Sequence, residues 1–476
     1  MKKIRQILAA ALAALFLAPA AQAEVSTNLR KETAYTTGNR VKTQSFVDGT
    51  GTVVMADDLG YATLENTYTV GTKLETTSYF DAAGRPVNNA YGFSVRKLVY
   101  TMRNIKEETF WDKDGRPAPG PDGYARMETD WYQGKKHLET RYYDTEGNLF
   151  RSASFCARKT TVYSKDKKWT WSQPVSETWY DADGNMMAGP EGYARVEYEY
   201  VSGTSRVSKT TYLDAAGNLY FYKKAGYAVL EKTNRSGHFI KEAYYGADGQ
   251  LCAGPKGYAY VEMEYAKESK PTREAYFDAQ GNPYLMPGGY YSLTREYAPK
   301  GRIAEEAYYD AEGNPCDCKD GYHAVRTTYR GDGQITQRFY VGANGKRMVH
   351  PTLGYAYYVN DYDGKRISRT TYYDTDKKEM ECAGGYSRIV YSYDKNKKRN
   401  GISYLNLRGG LVAGPDGYAK AAYTCDKNGN YLTENYYGAD GSAIPGPNGA
   451  YETRNTWEGT KKTSVAFYEK IGRAHV

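Results

Sequence analysis

The sequence predicts an all-β fold: an elongated repeat array of β-hairpins, a β-solenoid or β-spiral, with about 14 repeats of about 32 residues. Three observations carry this. An aromatic pair returns at near-constant spacing along almost the whole chain. Tyr and Gly dominate the composition, at 51 and 49 residues, while Leu, Ile and Val are scarce. Segments of strict apolar/polar alternation follow turn-forming glycine steps. Such a chain cannot build a conventional aliphatic core. It is too rich in aromatic and β-forming residues to stay disordered, and it suits layers that each bury a thin aromatic strip.

The pairs begin at Phe46, Tyr79, Phe110, Tyr142, Trp179, Tyr212, Tyr244, Tyr276, Tyr308, Phe339, Tyr372, Tyr404, Tyr436 and Phe467. Each is followed by a turn such as Asp181-Ala182-Asp183-Gly184-Asn185, in which Gly allows positive φ and Asp bonds its own backbone. A loop comes next, often Ala-Gly-Pro-x-Gly-Tyr, as at Ala188 to Tyr193 and Ala253 to Tyr258. The Gly-Tyr step then opens a strand. In Tyr193 to Tyr200 one face carries Ala194, Val196, Tyr198 and Tyr200, the other Tyr193, Arg195, Glu197 and Glu199. That alternation marks a half-buried antiparallel strand. Each repeat is therefore about two strands and two turns. The most irregular one, Tyr142 to Trp179, lacks the Gly-Tyr step and carries Cys156, Trp169 and Trp171; it reads as an eroded repeat, a kink or a specialised site.

Residues 1–23 read as a secretory signal peptide. Lys2, Lys3 and Arg5 are its charged start, Ile7 to Leu17 its apolar stretch, and Ala21-Gln22-Ala23 its small-x-small end, so cleavage is expected between Ala23 and Glu24. Residues 24–45 form an N-terminal cap or partial repeat, and 46–470 the tandem repeats, with no internal domain boundary visible. The final Ile471-Gly472-Arg473-Ala474-His475-Val476 matches a translated sequencing adapter, so 471–476 are expected to be an artefact and the native chain to continue beyond Lys470. The expected location is secreted, extracellular or cell-surface associated.

Removing Lys2, Lys3, Arg5 and Arg473 from the overall +8 leaves +4, with acids and bases interspersed. No clustered basic stripe is present, which argues against nucleic acid as a partner. After the signal peptide no apolar run reaches membrane-spanning length.

The aromatic pair, turn and Gly-Tyr step resemble the choline- and glucan-binding cell-wall repeats of Gram-positive surface proteins, most closely at Trp179-Tyr180-Asp181-Ala182-Asp183-Gly184-Asn185-Met186. That resemblance implies a solenoid attached to wall teichoic acid or polysaccharide. More loosely, Tyr143-Asp144-Thr145-Glu146-Gly147-Asn148-Leu149 resembles the Tyr-Asp (YD) repeats of Rhs-type proteins, which implies a β-sheet shell or stalk ahead of a C-terminal effector.

No catalytic constellation emerges: the sequence lacks HExxH, GxSxG and any phosphate-cradling loop, and an enzyme is not expected. Asp181 to Asn185 starts like a calcium loop, but Gly192 stands where the twelfth-position Glu belongs, so it reads as a turn. Cys316-Asp317-Cys318 lacks a second ligand pair for zinc, and Cys252/Cys316 and Cys318/Cys382 lie two repeats apart, too far to bridge in a straight stack. Neither metal nor cofactor is expected, and the six cysteines read as semi-buried free thiols. The ligand-binding candidates are the second members of the aromatic pairs, Trp111, Tyr143, Tyr180, Tyr245, Phe277, Tyr309, Tyr340, Tyr373 and Tyr437. Adjacent residues of a strand face opposite ways, so this row either stacks on sugars and cations or packs across strands; both readings stand open. The Gly-Tyr tyrosines form a second row, expected to pack over the glycine turns. The functional expectation is a non-catalytic module binding cell-wall or other extracellular polysaccharide, tightened by avidity. Its alternative is a stalk or shell presenting a missing effector.

Overall fold

The computed structural model describes residues 29–70, 72–151, 156–164, 173–266, 270–470 and 473–475. The signal segment with Ala23 and Glu24, and Trp169 and Trp171, lie outside them. The described residues are strands, turns and loops without a helix, and the strands pair antiparallel throughout. They group into two compact units, residues 1–231 with 245–250, and residues 232–244 with 251–476.

One repeat of the first unit shows the design. Arg195–Tyr200 follows the Gly-Tyr step and pairs with Val207–Leu213, from Arg195↔Leu213 to Tyr200↔Val207. The predicted alternation holds in the strand: Val196 is buried while Glu199 is exposed. A register shift after Glu199 leaves Ser208 of the second strand unpaired, a β-bulge opposite the first strand's last residue. The second strand then meets the next hairpin over a shorter run, Lys209↔Glu231 to Thr211↔Val229.

Between hairpins the chain makes the two predicted turns. The Asp181 carboxylate accepts the Asn185 amide at 2.8 Å, and Gly184 holds φ at +88°. The chain folds back along the aromatic pair through a Tyr180↔Met186 bridge, and the Met187 amide donates to the Trp179 carbonyl. The loop closes with the Gly189 amide on the Tyr193 carbonyl at 2.8 Å. Gly189 keeps no positive φ; it is glycine because its backbone lies on the Trp179 ring, where a Cβ would come within 2.8 Å. Gly120 over Phe110, Gly254 over Tyr244, Gly414 over Tyr404 and Gly446 over Tyr436 repeat the arrangement.

The core therefore sits between one sheet face and the Gly-Pro loops. In the first unit it gathers Phe93, Phe110, Tyr124, Met127, Tyr142, Cys156 and Trp179; in the second, Tyr372, Cys382, Tyr386, Tyr404, Tyr418, Ala421 and Tyr436. Cys156 takes the place of the Gly-Tyr tyrosine in the irregular repeat: its neighbour Ala157 accepts from the Tyr142 amide as Ala194 accepts from that of Trp179. No disulfide joins the cysteines of the described residues.

One phase differs from the sequence reading. The pair assigned to Phe339-Tyr340 is Tyr340-Val341. The Tyr340 amide donates to Ala356 as that of Tyr308 does to His323 and that of Tyr372 to Ser387. Phe339 is an extra aromatic on the opposite face of the strand.

Candidate functional site

Three aromatic rows run through the repeats. The inner row alternates first pair members with Gly-Tyr tyrosines. In the second unit it reads Tyr244, Tyr258, Tyr276, Tyr290, Tyr308, Tyr322, Tyr340, Tyr355, Tyr372, Tyr386, Tyr404, Tyr418, Tyr436. Successive ring centroids lie between 4.7 Å (Tyr290–Tyr308) and 6.2 Å (Tyr276–Tyr290), tilted or edge-on as ring quadrupoles prefer. The Gly-Tyr tyrosines were read onto the polar strand face. They precede the strand instead and turn into the core, where Tyr258 is 3% exposed.

Hydroxyls of the inner row find carboxylates. Tyr276 donates to Glu274 at 2.6 Å, Tyr308 to Glu306 at 2.7 Å and Tyr436 to Glu434 at 3.2 Å, and Tyr244 donates to Glu242. Arg295 bridges Glu274 and Glu306 at 2.5 and 2.6 Å. Burial first, then the neighbouring carboxylates, pushes these phenols up, Tyr258 to about 12 and Tyr276 and Tyr308 further. The tyrosines are thus held as neutral hydrogen-bond donors.

The outer row holds the predicted ligand residues. Trp111, Tyr143, Tyr180, Tyr245, Phe277, Tyr309, Tyr373 and Tyr437 are half-buried on the opposite sheet face, whereas Tyr340 is 7% exposed in the inner row. Most of their rings already have partners across the strand. Arg126 lies 4.2 Å over Tyr143, Arg158 4.2 Å over Tyr180, and Lys420 5.7 Å from Tyr437. Tyr260 stacks on Phe277 at 4.7 Å and Tyr357 on Tyr373 at 4.8 Å, while His323 meets Tyr309 edge-on at 5.4 Å. The Trp111 indole donates to Thr109 at 3.0 Å.

A third row, at the bulges, was not anticipated. Tyr200, Tyr297, Tyr329, Tyr362 and Tyr393 each donate a hydroxyl hydrogen bond of 2.6–2.7 Å back to a carbonyl of the preceding hairpin, at Pro174, Pro271, Ile303, Ile335 and Ile367. The Trp131 and Trp457 indoles do the same toward Ile105 and Tyr431. Lys73, Lys136, Lys270 and Arg366 cover Tyr100, Tyr163, Tyr297 and Tyr393. A tyrosine near every thirty-second residue was the available signal: Tyr265, Tyr297, Tyr329, Tyr362, Tyr393.

Among the described residues no group of three His, Cys, Asp or Glu is placed to hold a metal, and no helix is long and apolar enough to cross a membrane. The Asp181 carboxylate is occupied by its own turn, with both oxygens on Asn185. A cleft of about 310 Å³ is lined by Arg302, Ile303, Glu306, Val325, Thr327, Tyr329 and Arg338, at the small end of ligand pockets.

No family model matches the chain, and no curated protein matches it. Among solved structures it is similar to the crystal structure of TcdB2-TccC3 without its hypervariable C-terminal region, at 11% identity over 93% of this chain and 23% of that one, with a TM-score of 0.30. For the crystal structure of TcdB2-TccC3-TEV the values are 10%, 90%, 20% and 0.32. A porin-like protein from Bacteroides uniformis gives 10% identity over 65% of this chain and 91% of that one, with a TM-score of 0.15. The chain spans less than a quarter of the length of the two toxin-complex chains.

Proposed function

We propose that the chain is an exported, non-catalytic structural array, a length of β stalk or shell that holds another segment or partner in place. The observation that carries this reading is that the aromatic rows are engaged within the array itself. The inner rings form a buried ladder, the bulge tyrosines tie each hairpin to the one before, and most outer rings are covered by a cation or a second ring. Export is supported by Lys2, Lys3, Arg5, the apolar stretch after them and the Ala21-Gln22-Ala23 end.

Glycan binding is the second reading, favoured by the outer row remaining half-buried instead of buried. Washed cell walls and insoluble polysaccharides, incubated with purified mature chain, separate the two. The structural reading expects no saturable binding. Saturable binding that is competed by a defined sugar or choline, and lost when Tyr143, Tyr180 and Tyr373 become Ala, would establish the glycan module instead.

A further inference from the structure

Phenylalanine is the cheaper residue for a dry ring stack, because a buried hydroxyl left without a partner costs about 1–3 kcal/mol. The fold accepts it: Phe46, Phe93 and Phe110 occupy inner-row positions in the first unit. Yet the second unit's ladder, from Tyr244 to Tyr436, is tyrosine at every position. Packing does not require these hydroxyls. What a phenol has and a phenyl ring lacks is ready loss of one electron together with its proton. Both needs of that chemistry are met here. Successive rings touch, and several phenols already donate to carboxylates: Tyr276 to Glu274, Tyr308 to Glu306 and Tyr436 to Glu434. Two thiols lie against the same ladder. Cys318 packs with Tyr308 and Tyr322, and Cys382 with Tyr372, Tyr386 and Tyr404; both are 8% exposed.

We propose that the tyrosine ladder of the second unit is a relay for oxidising equivalents, carrying them from one-electron oxidants at the surface to the buried thiols of Cys382 and Cys318. The half-buried Tyr290, Tyr322 and Tyr355 are the points of entry. In the first step the oxidant takes one electron from one of these half-buried tyrosines, and its phenolic proton passes to solvent, leaving a neutral tyrosyl radical. In each hop the neighbouring tyrosine gives its electron to that radical; its proton goes to its own carboxylate where it has one, with the first phenol reprotonated from its surroundings, and otherwise directly to the radical oxygen beside it. At the end a tyrosyl radical takes an electron and the thiol proton from Cys382, restoring the phenol and leaving a thiyl radical. A second oxidising equivalent and one water convert this to the sulfenic acid with release of a proton. This is an activity beyond the structural role and does not depend on it.

Illumination of the full chain with tris-bipyridyl ruthenium(II) and persulfate supplies a bulky one-electron oxidant. Free thiols are then counted by alkylation under denaturing conditions and peptide mass spectrometry. Cys382 is expected to lose its thiol at a rate comparable with that of the half-buried Cys425. The set Tyr355→Phe, Tyr358→Phe and Tyr404→Phe removes the phenols that touch Tyr372 and Tyr386 from either side of Cys382. It should slow Cys382 oxidation several-fold, leave Cys425 unchanged, and keep the thermal midpoint of the parent. Light-dependent tyrosyl absorption in the parent should weaken in parallel. Cys382 staying reduced while Cys425 is oxidised, or oxidation of Cys382 at the parent rate in the triple variant, would overturn the relay. If the triple variant unfolds, Glu306→Gln serves: removing that acceptor should slow loss of Cys318 relative to Cys425, and an unchanged ratio counts against the proposal.

Discussion

His137 makes acid stability of the first unit a direct test of its packing. Its ring lies on the inner sheet face between two hydroxyls, Nδ1 2.9 Å from Thr161 and Nε2 2.8 Å from Thr140, with Trp131 edge-on at 5.8 Å. Burial strips water from the imidazolium, and the nearby Lys159 ammonium disfavours it further. Glu177 and Asp130 oppose these effects but do not cancel them, and the ring falls from 6.5 to about 4. The folded value lies below the unfolded one, so the neutral ring stabilises the fold fully above about pH 6.5. That contribution is lost as pH falls toward about 4, and the gap corresponds to about 3 kcal/mol. His137→Asn retains polar atoms but cannot titrate. Urea unfolding of parent and variant, followed by tryptophan emission at about pH 7 and about pH 4.5, isolates the ring because carboxylates common to both proteins cancel in the difference. The parent's advantage at neutral pH should shrink by about 2–3 kcal/mol in acid. An imidazole that titrates near 6.5 by NMR, or a parent–variant difference that ignores pH, would refute the reasoning.

Other perturbations follow from the same geometry. Gly254→Ala drives a Cβ into the Tyr244 ring and should destabilise by about 1–3 kcal/mol in denaturant unfolding. Gly313→Ala, with φ at +85° and open space around it, should cost only the left-handed backbone penalty of about 1–2 kcal/mol. Tyr329→Phe removes the hydrogen bond to Ile303 and should cost about 1 kcal/mol. Cys425→Tyr, which restores the bulge tyrosine where the thiol now faces the Arg399 carbonyl, should raise the thermal midpoint. The turn carboxylates Asp81, Asp112, Asp278 and Asp426 are lowered: desolvation, the largest single effect at Asp278 and Asp426, raises them, but the amides donated within their own turns together outweigh it. Their support is present above the ordinary aspartate range and fades as pH falls through their folded values, so Asp278→Asn should flatten the acid limb of a pH–melting curve.

The hairpin strands and both turns were legible because each has a local cause: period-two alternation and an Asp/Gly turn. Three features were not. The Phe339-Tyr340-Val341 run offers two aromatic pairs, and only the hydrogen bond from Tyr340 to Ala356 selects the phase. Tyr193 and Tyr258 looked like outward residues because alternation was extended one step past the strand, into loop backbone that obeys no such rule. Tyr200 and its equivalents were placed on one face with Val196 and Tyr198, but alternation carries no hint that their hydroxyls reach back to a carbonyl of the preceding hairpin. For the outer row the sequence left packing and ligand contact open. The partners of Tyr143, Tyr180, Phe277 and Tyr373 sit at the strand position after Ala, where Arg126, Arg158, Tyr260 and Tyr357 stand.

The bulge hydrogen bond reaches back 26 residues from Tyr329 and the same number from Tyr393. Ladder contacts likewise join residues less than one repeat apart, such as Tyr404 and Tyr418. No tie of this kind needs a distant part of the chain. Copy number is therefore a free variable for the gene: recombination between two repeats in phase deletes or adds a whole hairpin, and both flanking neighbours find the surface they expect. The number of hairpins can change in this way without any hairpin losing its neighbours, whereas a one-residue slip within a strand, of the kind the two aromatic pairs in Phe339-Tyr340-Val341 allow, turns that strand's side chains to the wrong face.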